Sequence, residues 1–103
     1  MLNKFGLLER DMDSIIAVLI KQPTVEKSFI FGSRAKGNFK KGNDVDLALK
    51  GRYLNFDVIS RISYQLNEET KMPYNFDVLN YHTLEEPDLI NHIDSIGIEI
   101  YSK

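Results

Sequence analysis

Apolar positions along the chain fall into a succession of short periodic blocks. Leu8, Met12, Ile15, Ile16 and Leu19 recur at helical spacing until Pro23 interrupts them, which predicts an amphipathic helix over about residues 3–21. Val25 to Phe31 is a run rich in Val, Ile and Phe that ends at Gly32-Ser33, as a strand entering a tight turn does. From Ser33 to Asn43 the pattern lapses into polar and basic positions broken by Gly37 and Gly42, with room for one helical turn over Arg34-Ala35-Lys36 opening at Ser33. Asp44 to Leu47 alternates as a strand with one polar face would, and Gly51 ends that strand. Leu54, Val58, Ile62 and Leu66 are spaced four apart, so a second long helix is expected over about residues 53–69, before Pro73. Tyr74 to Asn80 reads as a third strand with Asp77 embedded in it. Thr83, followed by Glu85 and Glu86, opens a helix whose stripe is Leu89, Ile90, Ile93 and Ile96, ending at Gly97. Ile98 and Ile100 flank Glu99 in a last short strand.

The order is helix, strand, short helix, strand, helix, strand, helix, strand. That order predicts an α/β (α+β) fold in which a small mixed sheet packs against helices. The strand order does not follow from periodicity. At 103 residues, 43% hydrophobic and 27% charged, the chain fits one domain spanning residues 1–103. A domain of this size has one modest core, so a substrate is expected in an open groove or at a partner's edge.

Charge and residue usage narrow the function classes. A formal net charge of −2 argues against stable binding of nucleic acid, which ordinarily calls for a basic excess. With no cysteine there is neither disulfide stapling nor a thiolate metal site, in keeping with a reducing compartment. Lys4, Glu9, Arg10, Asp11 and Asp13 break up any apolar leader, and the run Ile15 to Ile20 falls far short of the roughly 20 residues that span a bilayer. A cytoplasmic location with no membrane contact is the expectation.

The candidate chemistry lies in the middle of the chain. Asp44 and Asp46, two apart on one strand, point to the same face with Cα atoms about 6–7 Å apart. Carboxylates crowded in this way repel each other unless a cation is shared, and hard oxygen ligands suit Mg²⁺ or Mn²⁺. Asp77, between Phe76 and Val78, adds a third carboxylate where an isolated charge would be costly. If its strand lies beside that of Asp44 and Asp46, the cluster has room for two ions about 3.5–4 Å apart, the arrangement that stabilises attacking and leaving oxygens in phosphoryl transfer. Upstream, Gly32 lets the backbone approach a phosphate, and Ser33 offers an amide and a hydroxyl. Arg34, Lys36, Lys40 and Lys41 then place four positive charges in eight residues with no acid before Asp44. Each feature alone has an ordinary structural reading as a turn, an edge strand or a solvated loop; their order on these elements favours a metal-bound triphosphate. His82 and His92 are too far apart to be a ligand pair on one helix and read as satisfying nearby hydrogen bonds. Tyr81 and Tyr101, near strand ends, could stack on a base.

The segment Phe31-Gly32-Ser33-Arg34-Ala35-Lys36-Gly37, followed by Asn43-Asp44-Val45-Asp46-Leu47-Ala48, resembles the Gly-Ser…Asp-x-Asp signature of the DNA polymerase beta-like nucleotidyltransferase superfamily. Phe76-Asp77-Val78 resembles the strand carrying that superfamily's third aspartate, and the closing Ile96 to Tyr101 looks like its minimal branch. The resemblance implies the nucleotidyltransferase fold, catalytic Asp44, Asp46 and Asp77 holding Mg²⁺, and a nucleotide bound by Gly32, Ser33, Arg34 and Lys36, with the ATP phosphates at Gly32 and Ser33. Lys36 stands where many relatives carry arginine, which keeps the charge and loses the bidentate geometry. Minimal nucleotidyltransferases resembling this chain are commonly antitoxins encoded beside a HEPN-domain toxin, and some move AMP from ATP to a tyrosine of that partner. Size agrees with an acceptor supplied by a partner protein, since the fingers and thumb of a polymerase have no room here. Two other functions fit the same residues: a non-catalytic antitoxin that acts by binding, and an aminoglycoside-like small-molecule nucleotidyltransferase subunit.

Overall fold

The computed structural model describes residues 2–37 and 43–103, so Lys40 and Lys41 lie outside the described residues. The elements are α1 (Glu9–Ile20), β1 (Lys27–Phe31), α2 (Ser33–Lys36), β2 (Asp44–Lys50), α3 (Phe56–Tyr64), β3 (Asn75–Asn80), α4 (Pro87–Ile96) and β4 (Ile98–Ser102). They follow the order expected from the hydrophobic pattern. The strands form one sheet of order β3-β2-β1-β4, in which β2 and β3 run parallel and the other pairs antiparallel.

Alternation along the strands sorts the two faces. Ile30, Val45, Leu47, Leu49, Phe76 and Val78 point to one face and are buried there with Ile15 and Leu19 of α1 and Ile62 of α3. Burial of each such side chain stabilises the fold by about 1.5–3 kcal/mol relative to exposure. The intervening residues point the other way. Phe31 and Ala48 meet Ile93 of α4, with Leu79, Tyr81, Leu84 and Leu89 packed around them. Thus α4 covers one end of the second face, while Asp44 and Asp77 at its other end are exposed. Among the described residues no helix is long and apolar enough to cross a membrane.

Three helices begin later than the pattern suggests, each for a local reason. Residues 3–7 are not helical, because the Asn3 carboxamide accepts from Phe5 N at 2.9 Å and Leu7 N at 3.0 Å, which competes with helical bonding. The Asn55 side chain accepts from Val58 N at 2.9 Å and so caps α3 at Phe56. Pro87 takes the first turn of α4, where its missing N–H costs nothing. Residues Tyr81–Thr83 form a separate 3-10 turn before it.

The second long helix also changes character at its end, where Gln65–Glu69 is a π-helical turn closed by Thr70 N donating to Gln65 O at 3.1 Å. Asn67 in this turn accepts from Phe76 N at 2.7 Å and donates to Phe76 O at 3.0 Å. Phe76 lies on the edge strand, so one carboxamide satisfies both main-chain groups there and fixes the peptide leading into Asp77. Replacing Asn67 by leucine keeps the bulk and leaves those groups unpaired. We expect a loss of about 2 kcal/mol, read as a lower urea midpoint at unchanged m value.

Candidate active site

The register brings the sequence-predicted residues to one place. Asp46 is flanked on both sides, by Phe31 of β1 and by Asp77 of β3, while Asp44 lies opposite Asn75. Asp44, Asp46 and Asp77 therefore share one face across two neighbouring strands. The chain leaves β1 directly beside Asp46 and turns at Gly32, whose φ of 74° and ψ of −151° suit glycine almost alone. A β-carbon at Gly32 would run into Asp46 Oδ2 and would lie 3.2 Å from Asp46 Cγ. The turn and the carboxylate strand are thus pressed together without an intervening side chain. Ser33 opens α2, and Lys36 at its end is exposed.

Arg34 is held inside the protein. It is only 4% exposed. Its Nε donates to Asp44 O at 2.8 Å, and its Nη1 donates to Phe5 O at 2.9 Å. The guanidinium also lies 4.9 Å from the centre of the Tyr74 ring. Tyr74 in turn donates from its hydroxyl to the buried Asp11 at 2.9 Å. Main-chain carbonyls offered by the N-terminal loop and the start of β2 draw the arginine inward. It clamps the turn to β2, with little surface left to offer a phosphate.

The carboxylates strain one another electrostatically. Burial raises the Asp46 carboxyl above its ordinary value of 3.8, and the charges of Asp77 and Asp44 push in the same direction, against a smaller lowering effect of Arg34. Among the described residues, no three carboxylate or imidazole groups stand together as a preformed ion cage. The donors nevertheless have the chemistry a hard divalent cation takes: carboxylate oxygens only, on adjacent strands, with repulsion that a shared cation would relieve.

Among families of known proteins, the model for the polymerase beta nucleotidyltransferase domain matches residues 13–103. The chain belongs to that family. A comparison with curated proteins found no match in sequence. Among solved structures, a toxin–antitoxin complex with AMP-PNP superposes with a TM-score of 0.72 at 18% identity, over 89% of this chain and 73% of that one. The complex of a tri-AMPylated Shewanella oneidensis HEPN toxin with its MNT antitoxin gives 0.69 at 14% identity, over 92% and 72%. A protein from Sulfolobus solfataricus assigned as a nucleotidyltransferase gives 0.60 at 16% identity, over 97% and 84%. At such identities the likeness is one of fold, and it is the nucleotidyltransferase fold.

Two further residues stand at this site, and only the first escapes sequence reasoning. One is Asn67, whose partner Phe76 is on another element and whose own position in a helix carries no pattern. The other is His92 of α4, whose Nε2 accepts from Gly32 N at 2.9 Å and whose ring meets the Phe31 ring edge-on at 6.0 Å. A signal for His92 did exist, since it lies three residues after Leu89 and four before Ile96 on the apolar stripe, where a polar ring needs a partner. His82 accepts from Gly51 N at 3.1 Å, in line with a structural role. Tyr81 is committed to Asp94 at 2.7 Å and to Lys50, whose Nζ is 4.3 Å from the ring centre.

Proposed function

We propose that this chain is a magnesium-dependent nucleotidyltransferase that moves AMP from ATP to a hydroxyl, with a tyrosine of a HEPN-domain toxin encoded nearby as the acceptor. In this role it is the antitoxin of the pair and works in the cytoplasm. The observation that carries the reading is the register: Asp46 stands between Asp77 on one side and the Gly32 turn on the other. The fold shared with a complex that contains AMP-PNP, and with one whose HEPN toxin is tri-AMPylated, supports the acceptor class.

The roles follow from position. Gly32 and Ser33 hold the ATP phosphates on the β1 side, with Lys36 supplying charge from the exposed end of α2. Asp44 and Asp46 on β2, assisted by Asp77, would hold two Mg²⁺ ions, which when bound neutralise phosphate charge and stabilise the attacking and leaving oxygens. Asp77 is exposed on the edge strand, the side from which a protein-borne hydroxyl reaches the site. Attack of that hydroxyl on the α-phosphorus forms the new phosphodiester and releases pyrophosphate, and the hydroxyl proton leaves toward Asp77.

The test is to incubate the protein with Mg-ATP and the product of the adjacent gene and weigh that product by mass spectrometry. An AMP adduct is expected with wild type and none with an Asp44→Asn, Asp46→Asn double variant. Wild type giving no adduct while the double variant still neutralises the partner would instead make the chain a binding antitoxin. Adducts on small hydroxyl compounds alone would make it a small-molecule transferase subunit.

A further inference from the structure

The turn that carries Gly32 is held from two sides. Arg34 ties it to the start of β2 through Asp44 O at 2.8 Å. On the other side His92 of α4, 60 residues away in sequence, accepts from the Gly32 amide. There Ile93, 3% exposed, anchors the helix in the cluster with Phe31 and Ala48. The preceding residue, His92, is thereby set above the turn, with its ring braced edge-on against Phe31. Because His92 Nε2 accepts from Gly32 N, the proton of the neutral ring resides on Nδ1. The acceptor thus fixes the direction of the Gly32 amide, and with it the peptide plane on which the position of Ser33 depends.

We infer that His92 is a positioning residue of the nucleotide site: its imidazole holds the Gly32 turn in the shape that receives the triphosphate, which makes α4 part of that site as well as a cover for the sheet. This inference rests on the nucleotidyltransferase reading above. His92 acts through Gly32 and has no direct part in the transfer step, so its loss falls on nucleotide affinity and on KM for ATP more than on kcat.

The experiment compares wild type with His92→Leu, which removes the acceptor, and His92→Gln, whose carboxamide oxygen restores one. Binding of Mg-AMP-PNP is measured by calorimetry, and the Gly32 amide is followed by ¹⁵N–¹H NMR without nucleotide. His92→Leu is expected to weaken AMP-PNP binding about 10-fold, as expected when a partly buried donor is left unpaired, and to move the Gly32 amide resonance. His92→Gln is expected to restore affinity to within about 3-fold of wild type and to return the resonance toward its original place. Should the leucine variant fail to fold, His92→Ala, which favours helix, is read in the same way. Unchanged affinity in His92→Leu overturns the inference, and so does an equal loss in the leucine and glutamine variants, since bulk rather than the acceptor would then matter. Wild type that binds no nucleotide would overturn the functional reading instead, and the Gly32 resonance still decides whether His92 holds the turn.

Discussion

Asp46→Asn is expected to abolish the proposed nucleotidyl transfer and, in the same protein, to raise stability near neutral pH. Activity falls because Asp46 is the central member of the three carboxylates. Losing several kcal/mol of transition-state charge stabilisation at 1.36 kcal/mol per decade amounts to about 10³-fold or more in rate. Stability rises because the folded protein holds Asp46 in conditions that disfavour its charge, first by burial and then by the proximity of Asp77 and Asp44. Asparagine keeps the shape and removes that penalty. The gain is about 1 kcal/mol or less once solvent screening is allowed for, a few degrees in Tm. The reverse relation between function and stability is common where an active site is assembled from like charges.

The sign of the pH dependence follows from the direction of the shift. A folded carboxyl raised above its unfolded value of 3.8 binds its proton more tightly in the folded state. Wild-type stability therefore declines, relative to the variant, as pH rises from 3.8 through the raised folded value. Below that window both states are protonated and the two proteins should melt alike. Above it the full difference should be present, and added Mg²⁺ should stabilise wild type but not the variant. Thermal melts of both proteins across a pH series, with and without Mg²⁺, check all of this, and a variant less stable than wild type at neutral pH would sink the argument.

The parts of this molecule that were legible in the sequence are those decided by periodicity or by residues close along the chain. The long helices were announced by their apolar spacing, and the Gly32-Ser33 turn, Asp44 and Asp46 stand together within one stretch. Boundaries were less legible because single side chains decide them: Asn3 unwinds what Leu8 and Met12 would extend, and Asn55 sets the start of α3. The parallel pairing of β2 with β3, which brings Asp77 to Asp46, is a long-range choice that alternation does not encode. Arg34 shows the same limit in chemistry. Its charge suggested a phosphate ligand, yet carbonyls contributed by Phe5 and Gly6 turn it inward. His92 is the converse, a residue read only as satisfying a nearby hydrogen bond, whose partner at the Gly32 turn is set by the packing of α4.

Gly32→Ala is expected to cost both stability and activity. Two separate penalties meet there. The backbone at φ 74° and ψ −151° lies where side chains are rarely tolerated, a cost of about 1–3 kcal/mol. The added carbon would also collide with Asp46 Oδ2, so either the turn or the Asp46 carboxylate has to move. Together they are expected to remove about 2–4 kcal/mol from a domain whose total is about 5–15 kcal/mol, with a fall in Tm of roughly 10–20 °C. Transfer activity should drop about 100-fold even where the protein is folded, because a displacement near 1 Å is enough. Gly37→Ala separates the two causes. Gly37 also has a positive φ, 79°, but a β-carbon there meets nothing within 4 Å among the described residues, so the backbone cost of about 1 kcal/mol is the one expected. A double-mutant cycle tests the collision itself. In an Asp46→Ala background the carboxylate is gone, and Gly32→Ala should cost at least about 1 kcal/mol less than it does in wild type. Strict additivity in urea denaturation would show instead that the turn and the carboxylate strand are not in contact, and the close approach on which the nucleotide site depends would have to be abandoned.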